Sequence, residues 1–320
     1  MSNLYNFINL VRNENMKLYL QRSNQVMMVL LIIFVIAGAI IVTIGSKQHD
    51  ESENLHWKTD LKEYNEHLEK LAVEHPELKQ SYMKEIALNT YRINHNLKPI
   101  SDDNIWSFVK DMGGGLSLAS IFTIIVAASF LTNEFKWGTI KLLLIRPYSR
   151  TQILLSKYLV ILIYALVLHV LLFISSWFIG GLFFGFEGAG QPYLKYQDGK
   201  VIEINMITYV LSQYGIDSIK LLMMATFAFM ISSVFRNISL SIGLSITLLL
   251  AGNSITMLFN QFSWAKYTLF TNLDLISKYF SGDSFGEGTT LLFSLLIILV
   301  HYIFFIGVTW FSFTYRDVEV

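Results

Sequence analysis

The sequence predicts an all-α integral membrane protein of about six transmembrane helices, with both termini on the cytoplasmic side and a small helical ectodomain. Three observations predict it. Of the 320 residues, 53% are hydrophobic and only 15% charged, against roughly 25% charged in an ordinary soluble domain. The apolar residues gather into runs of the length that crosses a bilayer. The basic residues gather in the short segments on one side of those runs. Mean hydropathy is +0.47. Net charge is zero and there is no cysteine, which excludes disulfides, thiolate metal sites and a cysteine nucleophile.

A spanning helix needs about 20 predominantly apolar residues. Six runs meet or approach this length. The first is Val26 to Gly45, and the second, Leu116 to Thr132, is shorter but uncharged. The third lies within Ile153 to Phe186, a stretch longer than one crossing needs, and the surplus around Gly180, Gly181 and Gly185 reads as an interfacial or re-entrant tail. Ser218 to Val234, Ile238 to Phe259 and Thr289 to Phe313 complete the set, the first two of these joined by the tight turn Phe235-Arg236-Asn237. The first run is about twice the length of a signal-peptide core and has no small-x-small cleavage site before Lys47, so it reads as a retained span.

Orientation follows from Lys and Arg in short flanking loops. With the N-terminus inside, the inner segments hold Arg12, Lys17, Arg22, Lys136, Lys141, Arg146, Arg150, Lys157, Arg236 and Arg316, against Glu14, Glu134, Asp317 and Glu319. The zero net charge thus divides into a positive inner and a negative outer side.

Four parts follow. Residues 1–25 form a cytoplasmic interfacial helix, with Leu4, Phe7, Ile8 and Val11 on one face and Arg12, Lys17 and Arg22 on others, suited to anionic headgroups. Residues 26–45 are the first span. Residues 46–115 are an extracellular helical segment, with helices expected at Asp60 to Leu71 and Glu77 to Tyr91, broken at His75-Pro76 and closing on the triple glycine Gly113 to Gly115. Residues 116–320 are the five-span remainder, including a cytoplasmic loop at 133–157. The five histidines of the ectodomain lack the i, i+4 spacing of a metal site, and no metal is expected. No nucleic-acid partner is expected. An aromatic stretch containing Trp264, Tyr267, Phe270, Tyr279 and Phe280 suits the outer interface.

The chain contains no phosphate-cradling G-x-x-x-x-G-K-[ST], no H-E-x-x-H and no G-x-S-x-G. No acid, base and nucleophile constellation points to an enzyme. The loop at 133–157 stands apart. It reads Asn133-Glu134-Phe135-Lys136-Trp137-Gly138-Thr139-Ile140-Lys141, continues through Leu142, Leu143, Leu144, Ile145, Arg146 and Pro147, and ends with Ser149, Arg150 and Lys157. Its spacing predicts a short amphipathic helix between a glycine break and a proline stop. Glu134 is placed to cap backbone donors or to pair with Lys141, Arg146 or Arg150. By composition alone, the loop is equally well read as a positive-inside anchor.

The order Glu134, Gly138, Thr139, Lys141, Leu142, Leu143, Pro147, Ser149, Arg150, Lys157 resembles the signature of type-2 ABC exporter permeases, in particular the bacitracin-exporter-like branch. Asn13-Glu14-x-x-Lys17 is similar to that family's amphipathic elbow. Lys266-Tyr267 with Asn272-Leu273-Asp274-Leu275, and the terminal Phe313-x-x-Arg316-Asp317-Val318, also fit. The first outer loop is longer than in the compact polysaccharide exporters of the same fold group. The resemblance implies a permease subunit of the bacterial plasma membrane that moves an antimicrobial peptide, antibiotic or other amphipathic compound outward. Within it, the loop would be a coupling helix carrying Glu134, Gly138, Thr139, Lys141, Arg146, Pro147, Ser149 and Arg150. The chain itself would hold no cofactor. ATP and Mg²⁺ would bind a separate ABC ATPase subunit, and the pathway would form in a homodimer or in a heterodimer with a related permease.

His169, His301 and Asn253 fall within spans, where a polar group needs a partner or water. They line a substrate path, or they bond neighbours within the bundle. A different class of function, a membrane sensor or immunity protein that binds an extracellular peptide without transport, is the alternative.

Overall fold

The computed structural model describes residues 2–46, 56–99, 104–139, 148–186, 191–197, 199–259, 261–275, 279 and 289–315. Helix α1 spans Ser2–Leu20 and α2 spans Arg22–Ser46. Between them the chain turns at Gln21. There Asn24 Nδ2 donates to the Leu18 carbonyl at 2.7 Å and Gln25 Nε2 to that of Tyr19 at 3.0 Å, which satisfies two of the carbonyls that the end of a helix leaves open. Beyond the buried Asn24 at its start, the described residues of helix α2 bury only the stripe Leu31, Val35 and Ala39 and expose Val29, Ile33, Ile40 and Ile41. An apolar helix with one narrow packed stripe is built for an apolar surrounding.

Helices α3 (Trp57–Glu74) and α4 (Lys79–His95) form an antiparallel hairpin, each longer than its predicted counterpart and separated by the expected break at Pro76. Their seam holds Leu68, Ala72 and an Asn65–Asn89 pair at 2.9 Å. Helix α5 (Ile105–Met112) runs through a 3-10 turn at Gly113–Gly115 into α6 (Leu116–Lys136). The three glycines are thus part of an apolar stretch that begins at Ile105 and not at Leu116. Ile105, Phe108 and Val109 are buried in the core, which explains why that stretch extends into the segment read as ectodomain.

Helix α7 covers Arg150–Phe184, 35 residues without interruption, which is about 52 Å of rise. Of the interfacial or re-entrant tail expected around its glycines, the re-entrant form is absent, since Gly180 and Gly181 lie inside the helix. They serve close packing: a Cβ at Gly180 would sit 2.8 Å from the Phe108 ring. Only Gly185, at φ +79, ends the helix. A continuous helix keeps its backbone hydrogen bonds satisfied internally, which a re-entrant turn does not.

An antiparallel ribbon follows, β1 (Tyr193–Gln197) with β2 (Lys200–Ile204), in the register Tyr193↔Ile204 to Gln197↔Lys200. This departs from the all-α expectation. The two-residue connection Asp198-Gly199 is a hairpin signal, and Gly199 has the required positive φ of 77°. Tyr193 stacks on Tyr209 at 3.5 Å, fixing the ribbon to α8 (Met206–Phe235), and Tyr91 donates to Glu203 at 3.3 Å, joining it to α4.

Helix α8 is the hub, packed against α6, α7, α9 (Ile238–Phe259) and α11 (Leu291–Tyr315); a single-turn helix α10 (Leu269–Leu273) lies before α11. Its inward residues Met224, Ala225, Ala228 and Phe229 are buried. Hydroxyls cross-link the hub: Thr132 meets Ser232 at 2.6 Å, and Tyr158 meets Thr226 at 2.7 Å and Tyr302 at 3.2 Å.

Among the described residues, five helical stretches are long and apolar enough to cross a membrane: Arg22–Gly45, Ile105–Lys136, Arg150–Phe184, Met206–Phe235 and Leu291–Tyr315. The sixth expected span, Ile238 to Phe259, is a single helix of 22 residues that carries no charged side chain.

Candidate functional site

The region around the loop at 133–157 is built from its two stems. Helix α6 ends at Lys136. Gly138 follows with φ +69, its N–H donating to the Phe135 carbonyl at 3.2 Å, so the glycine supplies the left-handed turn that stops the helix. Helix α7 begins on a capping box: Ser149 Oγ accepts from the Gln152 N–H at 3.2 Å and Gln152 Oε1 from the Ser149 N–H at 3.0 Å. Residues 140–147, with the predicted short helix and Lys141, Arg146 and Pro147, lie outside the described residues.

Between the stems sits a buried charge cluster. Lys157, two turns into α7, is 0% exposed, and its Nζ donates to Glu14 Oε2 at 2.7 Å and to Glu134 Oε1 at 3.0 Å. The ammonium also lies 4.5 Å from the centre of the Phe130 ring, so its positive charge meets two carboxylates and an aromatic face. Glu14, 1% exposed, comes from α1 and takes a second cation, Lys17, on Oε1 at 2.7 Å. Lys17 also stands 3.7 Å from Glu134 Oε1. The second oxygen of Glu134 accepts from the Thr139 hydroxyl. Two carboxylates and two ammonium groups therefore balance to zero charge, which makes their burial tolerable. Such a group costs several kcal/mol per ion to desolvate, and it persists only where every charge is matched.

Other contacts tie the stems to the rest of the bundle. Arg150 donates to the Thr314 carbonyl at 2.9 Å, and Trp310 Nε1 to Thr151 Oγ1 at 3.1 Å. The Arg236 guanidinium, in the turn between α8 and α9, lies 4.4 Å over the Phe135 ring, which packs edge-on to Phe313 at 6.1 Å. The α6 stem is thereby held by the α8–α9 turn and α11, and the α7 stem by α11.

The structure brings together Glu134 and Thr139 of the predicted residues, and gives Gly138, Ser149 and Arg150 definite roles in the turn, the cap and the contact to α11. Among the described residues the cations that meet Glu134 are Lys157 and Lys17, because Glu134 faces α7 and α1, while Arg150 points to α11; Lys141 and Arg146, the other expected partners, lie outside the described residues. In the sequence Glu14 and Lys157 stand as inner-side charges and as parts of motifs. A lone lysine inside the apolar run from Ile153 is the signal that marks a buried partner, but nothing local names which carboxylate it meets.

The histidines are elsewhere. His169 lies on α7, about 18 Å along the helix from Lys157. It is buried with its ring edge-on to Tyr214 at 5.6 Å, and its Nδ1 has no hydrogen-bond partner among the described residues. The half-buried His301 bonds through Nδ1 to the Ile297 carbonyl of its own helix at 2.9 Å, as a structural role requires. The side chain of Asn253 lies outside the described residues.

Fold and hydropathy together define a multi-pass α-helical membrane protein, and one relative is named a membrane protein. The chain belongs to the family described as "Protein of unknown function (DUF2705)", which matches residues 81–319. It is 42% identical over 314 residues to "Uncharacterized protein YhcI" of Bacillus subtilis (strain 168), covering 97% of this chain and 99% of that one. It is 30% identical over 223 residues to "Uncharacterized membrane protein YdbK" of the same organism, covering 69% of this chain and 86% of that one. No solved structure matches the chain.

Proposed function

We propose that this chain is the membrane-spanning permease subunit of an ATP-driven exporter of the type-2 ABC kind. It crosses the bacterial plasma membrane six times with both ends inside, and moves an amphipathic compound such as an antimicrobial peptide or antibiotic outward. The observation that carries this reading is the buried cluster of Glu134 and Lys157, one on each stem of the inner loop. A loop that only anchored the protein at headgroups would leave these charges in water, where a pair is worth about 0–1 kcal/mol. Buried instead and joined to Glu14, they make the two stems one rigid piece, as a lever needs if a partner's closure is to tilt the helices. The sequence has no phosphate loop of its own, so ATP and Mg²⁺ belong to a separate ABC ATPase that docks at the loop 133–157. Two permease chains, identical or related, enclose the pathway.

Two measurements test this. Mild-detergent purification of the tagged chain from its native membrane is expected to bring down an ABC ATPase without membrane spans, and reconstituting the two should raise ATP turnover above that of the ATPase alone. A chain that purifies without any ATPase, and leaves turnover unchanged, rejects the reading. Topology is tested separately, on a background that has no native cysteine. A cysteine at the exposed Ser81 of α4 should react with an impermeant thiol reagent in intact cells, and one at the exposed Ser149 should react only after the membrane is opened. Labelling of Ser149→Cys in intact cells reverses the orientation.

A further inference from the structure

We propose that α1 is a working arm of the inner loop as well as a surface helix, and that Glu14 is the residue that positions it, by holding Lys157 and through it the stem of α7. The inference rests on the permease reading for its purpose, but its geometry stands apart from that reading. Lying flat on lipid, α1 would present its charged residues to headgroups and water. Instead its inward stripe, Leu10, Glu14 and Leu18 at i, i+4 and i+8, is almost fully buried, and α1 packs principally on α7. Leu4 and Ile8 remain exposed on the flank that lipid can cover. A second contact between the same two helices, the Tyr19 and Tyr164 rings at 6.1 Å, fixes the angle at which α1 lies on α7.

The far end of α1 is equally constrained. Asn24 is buried with its amide on the Leu18 carbonyl, and Gln25 holds that of Tyr19. The elbow is therefore a bonded corner, and α1 and α2 move as one. A displacement of the loop stems passes from Glu134 to Lys157, from Lys157 to Glu14, along α1, and round the corner into the first span. That route links α2 to the loop without requiring α2 to touch it. Apolar packing of similar volume could hold α1 against α7 as firmly as a buried ion cluster. What the charges add is a fixed register among three helices, because Lys157 can meet both carboxylates only in one relative position.

The test uses complexes of the full chain with its co-purifying ATPase in lipid nanodiscs. Spin labels are placed at the exposed Met16 of α1 and Leu155 of α7 as Met16→Cys and Leu155→Cys. Distance distributions are recorded nucleotide-free and after trapping with ATP and vanadate. The wild-type background should give one narrow distribution, unchanged by trapping, as a single body requires. In Glu14→Gln/Lys157→Gln, which leaves Glu134 with Lys17, the distribution should broaden. ATPase stimulation should then fall at least ~5-fold while the ATPase still co-purifies. Inverting all four charges, with Glu14→Lys, Lys17→Glu, Glu134→Lys and Lys157→Glu together, should restore the narrow distribution and most of the stimulation, which a merely bulky or polar requirement would not allow. Wild-type distances that shift on trapping overturn the proposal, as do wild-type distances and turnover in the double variant. If no ATPase co-purifies, the permease reading fails, and the nucleotide-free distances still decide whether the cluster holds α1 to α7.

Discussion

Lys157→Met should cripple the protein's stability, with a loss of about 3–5 kcal/mol, the range for removing one member of a buried ion pair. The substitution keeps the length of the side chain and its packing on Phe130 while leaving Glu14 and Glu134 facing each other with, among the described residues, only the half-exposed Lys17 between them. Solvation cannot relieve them, because Glu14 is 1% exposed. The readout is the melting temperature of the detergent-solubilised protein and the yield of monodisperse material, at matched expression. Adding Glu14→Gln to Lys157→Met should recover much of the loss, since the surviving Glu134 can then pair with Lys17. That non-additivity is the signature of a shared network. A single variant as stable as the wild type would show that the lysine is solvated in the membrane and would remove the cluster from the argument. Lys17→Met, by contrast, should cost much less, because Lys17 is 46% exposed and only completes a pairing that Lys157 already supplies.

Gly138→Pro should abolish coupled ATP turnover in the reconstituted complex while leaving membrane insertion intact. At φ +69 the glycine occupies a region that proline, held near −65°, cannot enter. The substitution also removes the N–H that donates to Phe135. The loop would leave α6 in a new direction, and Thr139 would be drawn off Glu134. Gly138→Ala is the graded comparison. No atom of the described residues lies within 4 Å of the position a Cβ would take, so its cost is the left-handed backbone, about 1–2 kcal/mol, and it should weaken turnover without abolishing it. Glu134→Ala should also insert normally and lose stimulation, with Lys157 kept in place by Glu14. Wild-type coupling in both Gly138→Pro and Glu134→Ala would reduce the loop to a basic anchor and take away the main residue-level support for a transport role.

Much of this molecule is legible without coordinates, and the legible parts share a cause. The apolar runs, the break at Pro76, the glycine stop at Gly138 and the cap at Ser149 are all decided within a few residues, by helix hydrogen bonding, by allowed φ and by the thickness of the hydrocarbon layer. The ribbon at Tyr193–Ile204 belongs to the same class. Its Asp198-Gly199 turn is a local signal, though weaker than the apolar runs beside it. The extra turn of helix from Ile105 and the unbroken length of α7 were less plain, because glycine reads locally as a break. Gly180 becomes helix interior only when Phe108 packs against it.

The charge cluster is another matter. Glu14 and Lys157 are 143 positions apart, and the sequence offers Lys157 many carboxylates and Glu134 nearer cations at Lys141, Arg146 and Arg150. Which of them meet is decided by how α1, α6 and α7 pack, since an ion pair has no sequence periodicity and is selected by proximity and by exclusion of water. The sequence by itself determined that this protein is a helical membrane protein, where its apolar runs lie, and that the loop at 133–157 is singular. Only the tertiary structure decided that the loop's stems are locked to the N-terminal helix. Local chemistry sets conformation along the chain, but a buried charge takes the partner that three-dimensional packing brings within reach.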